Sequence, residues 1–271
     1  MAVKVKKRNS TRLKWMAILL LGVLLLLLLV AALMLEGRDT PPATRGLRPN
    51  PYGVADFGYE NGFLTCLTGE SWLGVDVSHH QKEIDWPQVA DAGVKFAMIR
   101  LGYRTLVDGL LKEDTYGRAN LVAARNAGLK VGAYFFSQAI TVAEAVEEAE
   151  YLLSLLNGTK LEMPVVFDWE DGFENSRAAG LDGETLNACA IAFCDRIRAA
   201  GYRPMVYFNP DLANRLLDLK LMQEKGYGFW LAMYREQMNW PYAFDMWQYT
   251  ESGAVPGIVG KVDINLLMVN G

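Results

Sequence analysis

The chain is 271 residues long and 51% hydrophobic, with 27 basic residues against 31 acidic ones for a net charge of −4. That length accommodates one domain of roughly 200 residues with its own core, plus an appendage, and the acidic balance argues against nucleic acid as a partner. Three cysteines form no complete disulfide framework, and the only histidines, His79 and His80, lack metal-ligand spacing, so a histidine-based zinc site is excluded.

In chain order, residues 1–14 carry Lys4, Lys6, Lys7, Arg8, Arg12 and Lys14 and no acid. Trp15 to Leu35 follows as 21 residues without a charge. At about 1.5 Å per residue it is ~31 Å long, the apolar thickness of a bilayer. The basic flank predicts a signal-anchor at 15–35 with residues 1–14 in the cytoplasm and the rest outside the cell membrane. A cleaved signal peptide is the rival reading; its apolar core is usually about 7–15 residues, with a small-residue cleavage site that is absent here. With the six basic residues of the tail set aside, 21 basic residues face 31 acidic ones, a net charge of −10 for the remainder. Residues 36–51 hold Pro41, Pro42, Pro49 and Pro51 and read as an extended stalk. In residues 52–70, Asn61-Gly62 between aromatic flanks predicts a hairpin with a two-residue turn, since both residues tolerate positive φ.

From residue 71 to 271, short apolar runs alternate with helical patterns. The expected strands are 72–77, 95–101, 130–136, 163–169, 203–208, 228–233, 244–249 and 262–266. Helices are expected at 85–92, 113–127, 141–156, 182–200 and 209–217, the third opened by a Thr141-x-x-Glu144 capping box and the fourth stopped by Gly201. Cys189 and Cys194 sit on different faces of the fourth and read as small buried residues. Eight strands with helices crossing between the early ones predict an α/β fold, an irregular β/α barrel short of helices in its last third. An open doubly wound sheet is the alternative, without a G-x-G-x-x-G or Walker pattern to support nucleotide binding.

The strand MPVVFDW breaks from an apolar run into Asp168-Trp169-Glu170. In a β/α barrel the loops after the strands converge on one face, so polar residues that end strands surround one cleft. Asp76 ends the first strand, Asp168 and Glu170 the fourth, and Asp263 lies in the eighth. Residues i and i+2 of a strand share a face, roughly 6.5–7 Å apart, so Asp168 and Glu170 are expected to look into the same cleft while Trp169 packs away from it. Close, partly buried carboxylates raise each other's proton affinity, and one of them is expected to keep its proton near neutral pH. An acid and a base in one cleft are what acetal cleavage requires. Tyr134, Tyr207, Asn209, Tyr234 and Gln248 fall at other strand ends and are candidate sugar-binding residues, since aromatic faces stack on sugar rings.

The ordered blocks GVDVSHHQKEIDW, FAMIRLGYR, VGAYFFSQA, PVVFDWE, MVYFN, FWLAMY, DMWQYT and GIVGKVDIN, from about Gly74 to Leu267, resemble glycoside hydrolase family 25, the family of N-acetylmuramidase lysozymes. The resemblance implies a flattened β/α barrel, no metal or organic cofactor, and hydrolysis of the β-1,4 bond from N-acetylmuramic acid to N-acetylglucosamine in peptidoglycan glycan strands. It implies Glu170 as general acid, Asp168 as its partner, and Asp76 and Asp263 as further cleft acids. Many relatives carry another residue after DVS; here His80, with Tyr103, is expected to line the cleft and His79 to be exposed. An i, i+2 pair does not by itself flank the scissile bond, so attack by the substrate's own 2-acetamido oxygen is the expected route, with direct attack by a cleft aspartate left open. A non-catalytic glycan-binding module is the competing function.

Overall fold

The computed structural model describes residues 46–269 apart from 174 and 236. The basic tail, the apolar segment at 15–35 and the stalk up to residue 45 lie outside the described residues; residues 46–51, expected as extended stalk, are instead docked on the barrel, where Leu47 is buried, Pro49 bridges Tyr242 and the Asn50 N–H donates to the Pro241 carbonyl at 2.9 Å. Among the described residues, no helix is long and apolar enough to cross a membrane.

Strands β1 (Phe57–Glu60) and β2 (Phe63–Cys66) form an antiparallel hairpin in which Glu60 pairs with Phe63. The turn residues Asn61 and Gly62 have φ of 52° and 85°. The main sheet follows in chain order: β3 (Ser71–Val77), β4 (Phe96–Arg104), β5 (Leu111–Glu113), β6 (Lys130–Ser137), β7 (Val165–Trp169), β8 (Pro204–Phe208), β9 (Gly228–Ala232), β10 (Met246–Gly253) and β11 (Val262–Met268). Its order is β3-β11-β10-β9-β8-β7-β6-β4-β5, and a β3–β4 pairing closes eight of the nine strands into a barrel. Seven of the eight are parallel; β11 runs antiparallel to both β10 and β3.

Helices α1 (Trp86–Asp91), α2 (Gly117–Asn126), α3 (Val142–Leu156) and α4 (Gly183–Ala199) cross between the early strands. Two short helices, α5 (Pro210–Arg215) and α6 (Leu219–Glu224), bridge β8 and β9. No helix among the described residues joins β9 to β10 or β10 to β11. The expected helix at 113–127 is shorter than the sequence suggests. Residues 111–113 instead pair with Gly102, Tyr103 and Arg104 as an antiparallel flap, and helix begins only at Gly117, where a Cβ would stand 2.5 Å from the Arg100 carbonyl. Thr141 caps α3 by accepting from the Glu144 N–H at 3.2 Å, but the Glu144 carboxylate accepts from the Ile140 N–H and from Arg177 rather than completing the capping box.

The two faces of the strands build two cores. Outward residues such as Ile99, Phe135 and Phe167 pack under the helices. Inward residues fill the lumen: Phe96, Met98, Val166, Met205, Trp230 and Met246 are fully or nearly fully buried together. The ring of Phe96 occupies the space a side chain at position 74 would need, with a Cβ there 2.2 Å from it, so Gly74 is what lets the lumen pack. Period-two alternation then delivers the next inward residue of each strand to the rim. Phe96 and Met98 lead to Arg100, Val166 to Asp168, Met205 to Tyr207 and Met246 to Gln248.

Candidate active site

The rim encloses a cavity of about 650 Å3 whose lining includes Asp76, Asp168, Glu170 and Asp263. Asp168 is the last inward residue of β7 and Glu170 follows two positions later, so both carboxylates reach the cavity while Trp169 is buried in the outer core. Asp263 sits near the start of β11, not its end. Because β11 runs against its neighbours, its beginning lies at the same rim, and Asp263 pairs directly with Asp76 of β3. Cross-strand partners point to the same side, which sets these two acids next to each other.

Asp76 is held by a chain of amides and rings. Its Oδ2 accepts from Gln248 Nε2 at 2.9 Å and from Asn265 Nδ2 at 2.7 Å. Gln248 Oε1 accepts in turn from the hydroxyls of Tyr207 at 2.9 Å and Tyr234 at 2.8 Å, and Asn265 Oδ1 accepts from the Trp230 indole at 2.8 Å. Every donor in this chain is fixed by the next, which favours the ionised form of Asp76. Asp168 is the opposite case: it is buried, and its Oδ1 has no hydrogen-bond partner.

These environments separate the acids. Burial pushes Asp76 up to about 6, against the pull of Asn265 and Gln248. Burial, then Asp263 and Asp171, push Glu170 up to about 7, opposed by Arg100. Burial and the neighbouring Asp76 push Asp263 up to about 8, and Asp263 shares a hydrogen bond with Asp76. Asp168 rises well above the usual carboxylate range through burial, Glu170 and Asp76. Both members of the Asp168–Glu170 pair are thus shifted upward, the direction expected of close, buried carboxylates. Desolvation acts on all four acids before mutual repulsion does: Asp263 is pushed above neutral pH, Glu170 to about neutral and Asp76 below it, while Asp168 moves in the same upward direction.

The candidate sugar-binding residues divide. Tyr103, Tyr134, Tyr207, Tyr234, Gln248 and His80 line the cavity. Asn209 does not. β8 stops at Phe208, and the Asn209 side chain turns back to cap α5, accepting from the Leu212 N–H at 2.8 Å. His79 keeps a partly exposed ring, with 43% of its side chain accessible, and is also tied into the site. Its backbone N–H donates to Asp114 Oδ2 at 3.0 Å, its ring contacts the Arg100 guanidinium and stacks on His80 with centroids 4.0 Å apart, and it too lines the cavity. Burial, then the neighbouring His79 and Arg100, depress His80 below its usual value.

Residues overlooked in the sequence complete the site. Arg100 brings positive charge to the acids and is anchored by the buried Asp114, whose Oδ2 accepts from Arg100 Nε at 2.8 Å. Its guanidinium also lies 5.1 Å from the centre of the Tyr103 ring. The alternation Phe96, Met98, Arg100 was enough to find it, as Asp263 and Asn265 were enough to place Asn265 on the cleft side. Trp230 carried no such signal, because its partner Asn265 lies two strands away on β11, across β10.

A search against protein families matches glycosyl hydrolases family 25 over residues 75–258. Asp263 lies beyond that span. Lysozyme M1 of Streptomyces globisporus is 29% identical over 200 residues, 71% of this chain and 66% of its own length. The crystal structure of a bacterial lysozyme from Streptomyces coelicolor superposes with a TM-score of 0.61 at 25% identity, covering 74% of this chain and 93% of that one. The modular autolysin LytC from Streptococcus pneumoniae, solved in complex with a synthetic peptidoglycan ligand, gives a TM-score of 0.65 at 26% identity; this chain is covered over 78% but spans only 49% of LytC. Closed barrel, acid rim and a match across most of the domain converge: the chain belongs to glycosyl hydrolases family 25.

Proposed function

We propose that this protein is a membrane-anchored N-acetylmuramidase that hydrolyses the β-1,4 bond between N-acetylmuramic acid and N-acetylglucosamine in peptidoglycan. The observation that carries the reading is four acids, Asp76, Asp168, Glu170 and Asp263, gathered in one cleft, where burial and the neighbouring acids push Glu170 up to about 7. A carboxyl poised near the working pH is suited to deliver a proton and take one back. The lysozymes among its relatives and the peptidoglycan-bound LytC support this substrate.

In the proposed route Glu170 protonates the glycosidic oxygen as the bond to C1 breaks. The 2-acetamido oxygen of the same sugar attacks C1 and forms an oxazolinium. Asp168 offers its unpartnered Oδ1 to the acetamido N–H, and the ionised Asp76 stabilises the developing positive charge. Water then attacks C1, gives its proton to the Glu170 carboxylate and opens the ring with net retention. The tyrosines and Gln248 orient sugar hydroxyls. The anchor at residues 15–35 and the stalk limit the reach: with residues 46–51 docked on the barrel, about 10 residues (36–45) at ~3.1 Å each extend about 30 Å from the bilayer. The enzyme therefore remodels wall close to its own cell membrane, with its catalytic domain outside.

The test is release of reducing muramic ends from purified wall by the full-length chain. Wild type should release them with a β-configured first product, and Glu170→Gln should lower the rate about 10²–10⁴-fold with its circular dichroism unchanged. An inverted product excludes the acetamido route. Wall binding without release by wild type favours the non-catalytic module.

A further inference from the structure

The cleft continues past the acids. Tyr234 and Glu251, which line it beside Asp263, also line a second groove of about 450 Å3. The far wall of that groove is the β1–β2 hairpin, through Tyr59, Gly62 and Phe63, which precedes the first residue matched by the family. Thr250 and Ser252 of β10 add hydroxyls to its lining.

The hairpin is fixed against the barrel. Phe57 meets Trp247 edge-on at 5.4 Å, and the Leu64 N–H donates to the Tyr249 hydroxyl at 3.4 Å. Tyr59 lies two residues beyond Phe57 on the same face of β1, yet it is 62% exposed. The core does not use its ring. A rigid two-stranded element thus holds an aromatic face over a groove that opens into the catalytic cleft, and 450 Å3 lies within the range of about 300–1,000 Å3 typical of small-molecule sites.

We propose that this groove is an additional glycan subsite. The chain whose scissile bond sits among the acids runs on past Asp263, and the Tyr59 ring stacks on the pyranose face of an N-acetylhexosamine unit there. Thr250, Ser252 and Glu251 hydrogen-bond its hydroxyl and acetamido groups. The inference rests on the muramidase reading and gives it a consequence: the protein prefers long glycan chains to short ones.

The experiment compares a tetrasaccharide and an octasaccharide of the alternating wall sugars on the full-length chain. The octasaccharide-to-tetrasaccharide ratio of kcat/KM should exceed one in wild type and fall about 2- to 10-fold in Tyr59→Ala, the range of one aromatic stacking contact. Tyr59→Phe should restore it. The same ratio is read from dissociation constants in the Glu170→Gln background, without turnover. An unchanged ratio in Tyr59→Ala overturns the subsite even when wild type is active. Absent turnover with a Tyr59-dependent binding ratio overturns the muramidase reading and keeps the subsite.

Discussion

The barrel has a cavity at each end, and the two are nearly the same size, about 650 Å3 at the acid rim and about 620 Å3 at the base. Both are lined by charged and aromatic side chains. At the base these charges are already engaged: Asp245 accepts from the Phe229 N–H at 2.7 Å, Arg198 donates to the Lys225 carbonyl at 2.7 Å, and Arg203 donates to the Glu162 carbonyl. At the rim, Asp168 keeps a buried oxygen without a partner, and burial raises all four acids. A cavity becomes a site when desolvated groups are left facing it with their chemistry unspent. Volume alone does not separate these two.

The sharpest way to break this contrast is to release Asp76. Gln248→Ala removes one donor to Asp76 and the common acceptor of Tyr207 and Tyr234. Kinetics on purified wall should show kcat/KM about tenfold lower, equivalent to about 1.4 kcal/mol, within the range of one buried hydrogen bond left unmade. The acidic limb of the pH–rate profile should move upward, because Asp76 then resists ionisation. Arg203→Gln, at the base, should change kcat/KM less than twofold. Equal losses in the two variants would erase the distinction between the two ends.

A smaller effect separates the ends by pH. Asp76, Glu170 and Asp263 hold protons more tightly when folded, at about 6, 7 and 8, than the usual carboxylate values of roughly 4 in an unfolded chain. Their contribution to stability is complete below about pH 4 and is lost as pH rises through those three values. The melting temperature should therefore be higher at pH 5 than at pH 8, by about 3 °C or more. Asp263→Asn should shrink that difference, since its amide cannot ionise. A Tm that rises with pH over this interval would contradict the raised acids.

Much of this architecture can be read from alternation. Val165-Val166-Phe167 followed by Asp168-x-Glu170 carries a lumen-facing row up to the cleft, and the same arithmetic reaches Asp76 and Tyr207. Local patterns failed where backbone bonding overrides them. Three residues at 111–113 are too few to show a period, and they are strand because they find a partner in β4. Asn209 stands at a strand end, but a helix begins immediately after it and takes its side chain as a cap. Register and direction are invisible locally. That Asp263 faces Asp76 depends on β11 running antiparallel, and the link from Trp230 through Asn265 to Asp76 depends on the strand order β9-β10-β11-β3.

The central claim is that burial among other acids keeps Glu170 a proton donor near neutral pH. Carbon-13 NMR titration of the glutamate side-chain carboxyls, with the Glu170 signal assigned by its loss in Glu170→Gln, tests it directly. The expected midpoint is about 7. A midpoint at the ordinary glutamate value of about 4.3 would leave the cleft without its acid and contradict the mechanism.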